Sequence, residues 1–221
     1  MLERRNVAPI PIREATQYAL YATLMNRGFG ESHTEFKRSA EFVLSVMLEH
    51  NLTLVKNRKA VWLYHLLQGD IYPGGSSYLH IDIGESFPDS TFAKNCRIFC
   101  EEKVRRAIKS NLLCSHQNRD PENNEWGGSA YLKFELIATD GSATIVEVDF
   151  APSGLKEWED LVLGLAAYYH AGFIKLDDQQ VQNILQEADM SVMNQPDFKP
   201  DYGNITQYAE MVFERIADIR A

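Results

Sequence analysis

Histidine, cysteine and carboxylate side chains set the chemical reach of this sequence, and three groups of them have spacings that point to chemistry. Cys96, Cys100 and Cys114, with His116 two residues past the last, have the composition of a zinc site. Their spacing argues otherwise. At about 100° per residue Cys100 lies about 40° from Cys96, and Cys114 returns to about 0°. Val104 and Ala107 fall in the same arc, so the expectation is one long helix from about Ser90 to Ser115 with all three cysteines on its buried stripe. Cys114 would then stand about 27 Å from Cys96 at 1.5 Å per residue, too far to share an ion.

His80 and Asp82 form the second group. Tyr78 to Ile83 alternates like a strand, with Tyr78, His80 and Asp82 on one face and Leu79, Ile81 and Ile83 on the other. A histidine and a carboxylate two apart on a strand can ligate a divalent ion or serve as an acid and base, which makes this pair the catalytic candidates.

The third group is acidic and sits on a hairpin. Tyr131 to Ile137 and Thr144 to Phe150 are expected to pair around Asp140-Gly141. A two-residue turn would mix polar and apolar sides. A three-residue connection, Asp140 to Ser142, pairs Leu136 with Val146, Phe134 with Val148 and Leu132 with Phe150, and leaves one face apolar. The outer face then sets Lys133 against Asp149 and Glu135 against Glu147. The first is a cross-strand salt bridge; the second is a like-charge pair costing up to about 1 kcal/mol unless a cation intervenes. Glu135, Glu147 and Asp149 are therefore the binding candidates, for a cation or a basic partner, with a plainly solvated face as the alternative.

Gly74-Gly75-Ser76-Ser77, then a strand with an acid, then Glu147-Val148-Asp149 on a later strand, make an outline that resembles nucleotidyltransferases. In that family a Gly-Ser turn holds triphosphate and three carboxylates on adjacent strands hold magnesium. The likeness covers only these short stretches. His80 stands where the first acid is expected, no helix separates the turn from the acids, and no second glycine-rich loop is present. The resemblance implies a metal-dependent enzyme acting on a phosphate ester or nucleotide, with magnesium or manganese as cofactor and His80, Asp82, Glu147 and Asp149 at its site. No nucleophile elbow, phosphate-binding loop, dinucleotide fingerprint or His-Glu-x-x-His motif is found. The aromatic-rich stretches, Tyr18 with Tyr21, Trp62 with Tyr64, and Trp158 with Tyr168 and Tyr169, could line a ligand pocket, and the favoured reading is core and helix packing.

The elements that must position these residues are mostly helical. Pro11 suits a helix start, and a first helix is expected from Ile12 to Arg27, ended by Gly28 and Gly30. Ser32 with Glu35 reads as a capping box opening a second helix to Asn51, and Arg58 to Leu67 as a third, short one. Gly69 to Ser77 is a loop, and the polar stretch His116 to Gly128 an exposed, mobile one. Ser153 opens a helix through Tyr169; Asp177 with Gln180 and Asn204 with Gln207 cap the last two. The expected class is α+β: about seven helices on a small central antiparallel sheet of three or four strands. One domain spans residues 1–221, with residues 1–70 open as a helical subdomain.

Composition bounds the function. The 221 residues are 45% hydrophobic and 24% charged, which is ordinary globular usage with material for a sizeable core. No window is apolar enough to span a membrane, Pro9 and Pro11 interrupt any leader-like run, and three cysteines are too few for a disulfide framework. The expectation is a soluble, cytoplasmic protein. Its net charge of −9 is uneven: +3 over residues 1–60, −5 over 61–150 and −7 over 151–221. Lys56, Arg58 and Lys59 make the one basic cluster, which argues against nucleic acid as partner. The acidic remainder favours a basic protein surface. The favoured reading is a non-enzymatic interaction or regulatory protein of inhibitor or immunity type, without cofactor; the metal-dependent enzyme above is the alternative. Oligomeric state is left open.

Overall fold

Alternating apolar residues build one mixed five-stranded sheet, and helices cover both of its faces. The computed structural model describes residues 2–25, 31–69, 76–193 and 202–220. Among them lie, in chain order, β1 (Ile10–Arg13), α1 (Tyr18–Met25), α2 (Glu31–Glu49), β2 (Ala60–Gly69), β3 (Ser76–Gly84) and α3 (Ser90–Lys109). Then come β4 (Ala130–Ile137), β5 (Ala143–Ser153), α4 (Glu157–His170), α5 (Gln179–Val192) and α6 (Ile205–Arg220). The strand order is β1-β4-β5-β2-β3, with β1 parallel to β4 and the other neighbours antiparallel. Helix and sheet are thus combined as expected, but six helices and five strands replace the expected seven and three or four. Among the described residues no helix is long and apolar enough to cross a membrane. Gly28, Gly30 and the glycine turn at Gly74-Gly75 lie outside the described residues.

Two segments expected to be helical are strands. Pro11 and Ile12 belong to β1, an edge strand, where a residue without an N–H is tolerated. Ala60 to Gly69 is β2, a strand covered on both faces. Val61, Leu63, His65 and Leu67 face one side and Trp62, Tyr64 and Leu66 the other, so its sequence is a continuous apolar run that periodicity cannot separate from a buried helix.

Other boundaries move for local reasons. Helix α3 stops at Lys109, and Asn111 takes a left-handed φ of 55°, so Cys114 leaves the helix and instead bridges to Ala130. The expected exposed loop from His116 to Gly128 is a packed segment with two 3-10 turns that buries His116, Gly127 and Gly128. Ser153 ends β5 rather than starting a helix. Ser32 lies within α2 and donates to the Thr23 carbonyl, tying α2 to α1 instead of capping. At Asp178, not Asp177, α5 begins, without a side-chain cap. Asn204 and Gln207 do form the expected reciprocal box, with Gln207 N donating to Asn204 Oδ1 at 2.8 Å.

The hairpin keeps its expected faces but slips by two residues. Phe134 pairs with Val146, Leu132 with Val148 and Ala130 with Phe150. Five residues, 138–142, make the connection, closed by Ala138 N donating to the Ser142 carbonyl at 2.9 Å. The apolar face tests parity only, and a shift of two preserves it. On the inner face Leu132, Phe134, Leu136, Val146, Val148 and Phe150 pack under α4 and α2. Gly164 allows the approach of α4, since a Cβ there would fall 2.3 Å from the Phe150 ring. On the outer face Cys100 and Val104 of α3 pack on Leu66 and Ala151.

Candidate functional site

The register decides the fate of the acidic group. Lys133 stands opposite Glu147, and Glu135 opposite Ile145, so the expected Glu135–Glu147 repulsion does not arise. Glu147 accepts a hydrogen bond of 2.8 Å from the Tyr131 hydroxyl. Asp149 is only 1% exposed and forms a two-pronged ion pair with Arg4, whose guanidinium also lies 4.6 Å from the centre of the Tyr131 ring. Burial pushes the Asp149 carboxyl up to about 6, with Arg4 pulling the other way.

His80 and Asp82 do not meet these acids. Asp82 is exposed and shares a cross-strand row with Trp62 and Ser153, whereas Glu147 shares one with Gln68 and Ser76. Six residues along a strand is about 20 Å, so the four residues of the metal-dependent reading have no common point. Among the described residues no three His, Cys, Asp or Glu side chains gather to hold an ion. His80 Nε2 instead lies 3.2 Å from Cys100 Sγ and 3.1 Å from the Arg97 carbonyl. Burial lowers the His80 pKa and pushes the Cys100 thiol up to about 12, so the contact joins two neutral groups. Cys96 and Cys114 are likewise buried thiols, raised to about 11 and 12.

A cleft of about 400 Å³ opens where α3, the segment 119–128 and the β5–α4 connection meet. That volume suits a small organic ligand. Asp89 fixes one wall by accepting from Phe92 N at 2.8 Å at the start of α3, whose Phe92, Cys96, Phe99 and Lys103 then recur on one helical face. Trp158 stands on the first turn of α4, and Trp126 opposite is held by Arg106, which donates to its carbonyl at 2.6 Å. Arg58 lies 4.9 Å from the Phe92 ring centre and Lys156 6.0 Å from that of Trp158.

Buried ion pairs make the floor rigid. Lys103 Nζ donates to Asp160 Oδ2 at 2.9 Å and to the Pro152 carbonyl at 3.0 Å, both ionic side chains being 3% exposed. Arg119 pairs with Glu157, which also accepts from Gly127 N at 2.6 Å. Glu159 accepts from Leu54 N and Lys156 N, and feels the charge of Arg58. Burial raises the pKa of Asp160 and of Glu159, each opposed by its nearby donors.

A second polar constellation lies in the apolar inner layer. Ser77 Oγ is 2.8 Å from His33 Nε2, His33 Nδ1 is 2.9 Å from His65 Nδ1, and His65 Nε2 is 2.6 Å from the Tyr168 hydroxyl. Phe36 stacks on His65 at 4.3 Å between ring centres. Burial lowers His33 to about 4 and His65 well below its ordinary value, so both rings are neutral at pH 7.

Neither the catalytic nor the binding candidates, His80, Asp82, Glu135, Glu147 and Asp149, line the cleft. Its members are spread from Arg58 to Asp160, and those named in the sequence, Arg58, Cys96, Ser153 and Trp158, were singled out for other reasons. The Ser77 chain joins α2, β2, β3 and α4; Ser77 was named only within the glycine-serine turn, and His33 and His65 not at all. No family model, curated protein or solved structure matches this chain.

Proposed function

We propose that the protein is a binding or regulatory protein whose ligand is a small planar anion seated in the cleft. The class is the one favoured from the sequence; the partner differs, because Asp149 is paired within the chain and Glu147 is engaged by Tyr131. The observation that carries the reading is the make-up of the walls: Phe92, Phe99, Trp126 and Trp158, with Arg58 and Lys156 over two of these rings. Aromatic walls take a flat ring by stacking, and a guanidinium offers both a planar face and a fork for a carboxylate or phosphate. Leu155 takes one of the five Arg58 donors. Among the lining residues three cations, Arg58, Lys103 and Lys156, face two carboxylates, Glu157 and Asp160, in a chain of net charge −9.

Two of the three tryptophans line the cleft, so ligand binding should be visible in intrinsic fluorescence. Titration with nucleoside monophosphates and with aromatic carboxylates should give a saturable change in emission. Arg58→Ala and Trp158→Leu should each weaken it about tenfold, equivalent to about 1.4 kcal/mol. Silence of both ligand classes up to millimolar concentration would discard the reading. Capture of a basic protein that is lost on Glu135→Lys with Glu147→Lys, and indifferent to the cleft variants, would restore the docking expectation.

A further inference from the structure

We propose that Ser77 is a nucleophile for acyl transfer, with His33 as its general base and His65 as the residue that positions His33, giving the chain an esterase-type activity independent of the cleft. Four side chains from four elements form a continuous hydrogen-bonded line among Phe36, Phe134, Phe150 and aliphatic residues. Apolar residues would fill that layer at least as stably, so the line calls for a role beyond packing.

Counting protons allows the line to run in two directions, and the proposal takes the one that starts from Tyr168 as acceptor. Each neutral imidazole has one donor and one acceptor nitrogen. When His65 Nε2 donates to the Tyr168 oxygen, His65 Nδ1 must accept from His33 Nδ1, and His33 Nε2 is then left to accept the Ser77 proton. That is the nucleophile, base and orienting-group arrangement, with every member at hydrogen-bond distance. Ser77 is 6% exposed and lies at the start of an edge strand between exposed Ser76 and Tyr78. Successive N–H groups of a strand point to opposite sides, so either Ser77 or Tyr78 turns its N–H away from β2, where it can donate to a developing oxyanion.

In the reaction Ser77 Oγ bonds to the acyl carbon while its proton passes to His33 Nε2. The carbon–leaving-group bond breaks as that proton is handed to the departing alcohol or thiol. Water then attacks the acyl-serine by the same route in reverse and releases the acid. Among the described residues no carboxylate acts on either ring, so the imidazolium is poorly stabilised. A base this weak suits an activated ester or thioester rather than an amide.

A fluorophosphonate probe tests the assignment on the intact chain. Ser77 Oγ bonds to phosphorus, fluoride leaves and His33 takes the proton. The expected result is one label on the Ser77 peptide by mass spectrometry, absent in Ser77→Ala, retained in Ser76→Ala and about a hundredfold slower in His33→Ala. The wild-type labelling rate should be level from pH 6 to 9 and fall as His33 takes up a proton near its value of about 4, a profile that does not depend on any variant folding. An unlabelled Ser77 in folded protein, labelling undiminished by His33→Ala in a folded variant, or a rate that climbs steadily through neutral pH would each overturn it.

Discussion

Replacing Arg4 by methionine would leave Asp149 buried without its cation, and the expected loss of stability is about 3 to 5 kcal/mol. The loss should depend on pH in a defined sense. Asp149 already ionises at about 6 in the folded chain, above its ordinary 3.8, so between these values the folded state holds more protons than the unfolded state, and this group's contribution falls as pH rises. Removing Arg4 raises the folded value further, so the penalty should be largest above pH 6 and shrink on acidification, read from urea unfolding at pH 5 and pH 8. A matched Asp149→Asn with Arg4→Met should recover much of it. None of this was legible locally. Glu147 and Asp149 occupy one face of one strand and look equivalent in sequence, yet Asp149 meets a residue 145 positions away.

At the scale of elements, the strands that show one wet and one apolar face were readable and those covered on both faces were not. Helix α2, strand β3 and the hairpin emerge from period alone, whereas β2 has α3 on one side and the inner core on the other, so no polar residues mark its rhythm. Register was readable only modulo two, and that error converted Glu135 and Glu147 into a like-charge pair. The close seat of α4 rests on one residue. Gly164→Ala would press its methyl into the Phe150 ring, and an overpacking loss of about 1 to 3 kcal/mol is expected by thermal or urea denaturation. A surface helix position would instead gain from the same change.

Across the whole molecule, long-range ion pairs place elements that apolar burial leaves free to slide. Lys103 and Asp160 join α3 to α4 across the end of the sheet, beneath the cleft. Lys103→Met should cost about 3 to 5 kcal/mol by urea unfolding, while Lys103→Met with Asp160→Leu should cost far less, because the expense lies in orphaning a buried charge. Cleft ligand binding should be lost in the single variant even at temperatures where it remains folded, because the floor that sets the wall spacing is gone. Sequence reading reaches neither site, since each is assembled from residues more than 90 positions apart. The parallel pairing of β1 with β4 carries a consequence in time. Ile10 pairs with Phe134, 124 residues later. At about 5 to 20 residues per second, the ribosome takes about 6 to 25 s to make the partner of a strand it has already released. For that interval the nascent chain must keep β1 and Arg4 solvated and unassembled, and only the emergence of the hairpin lets them take their place.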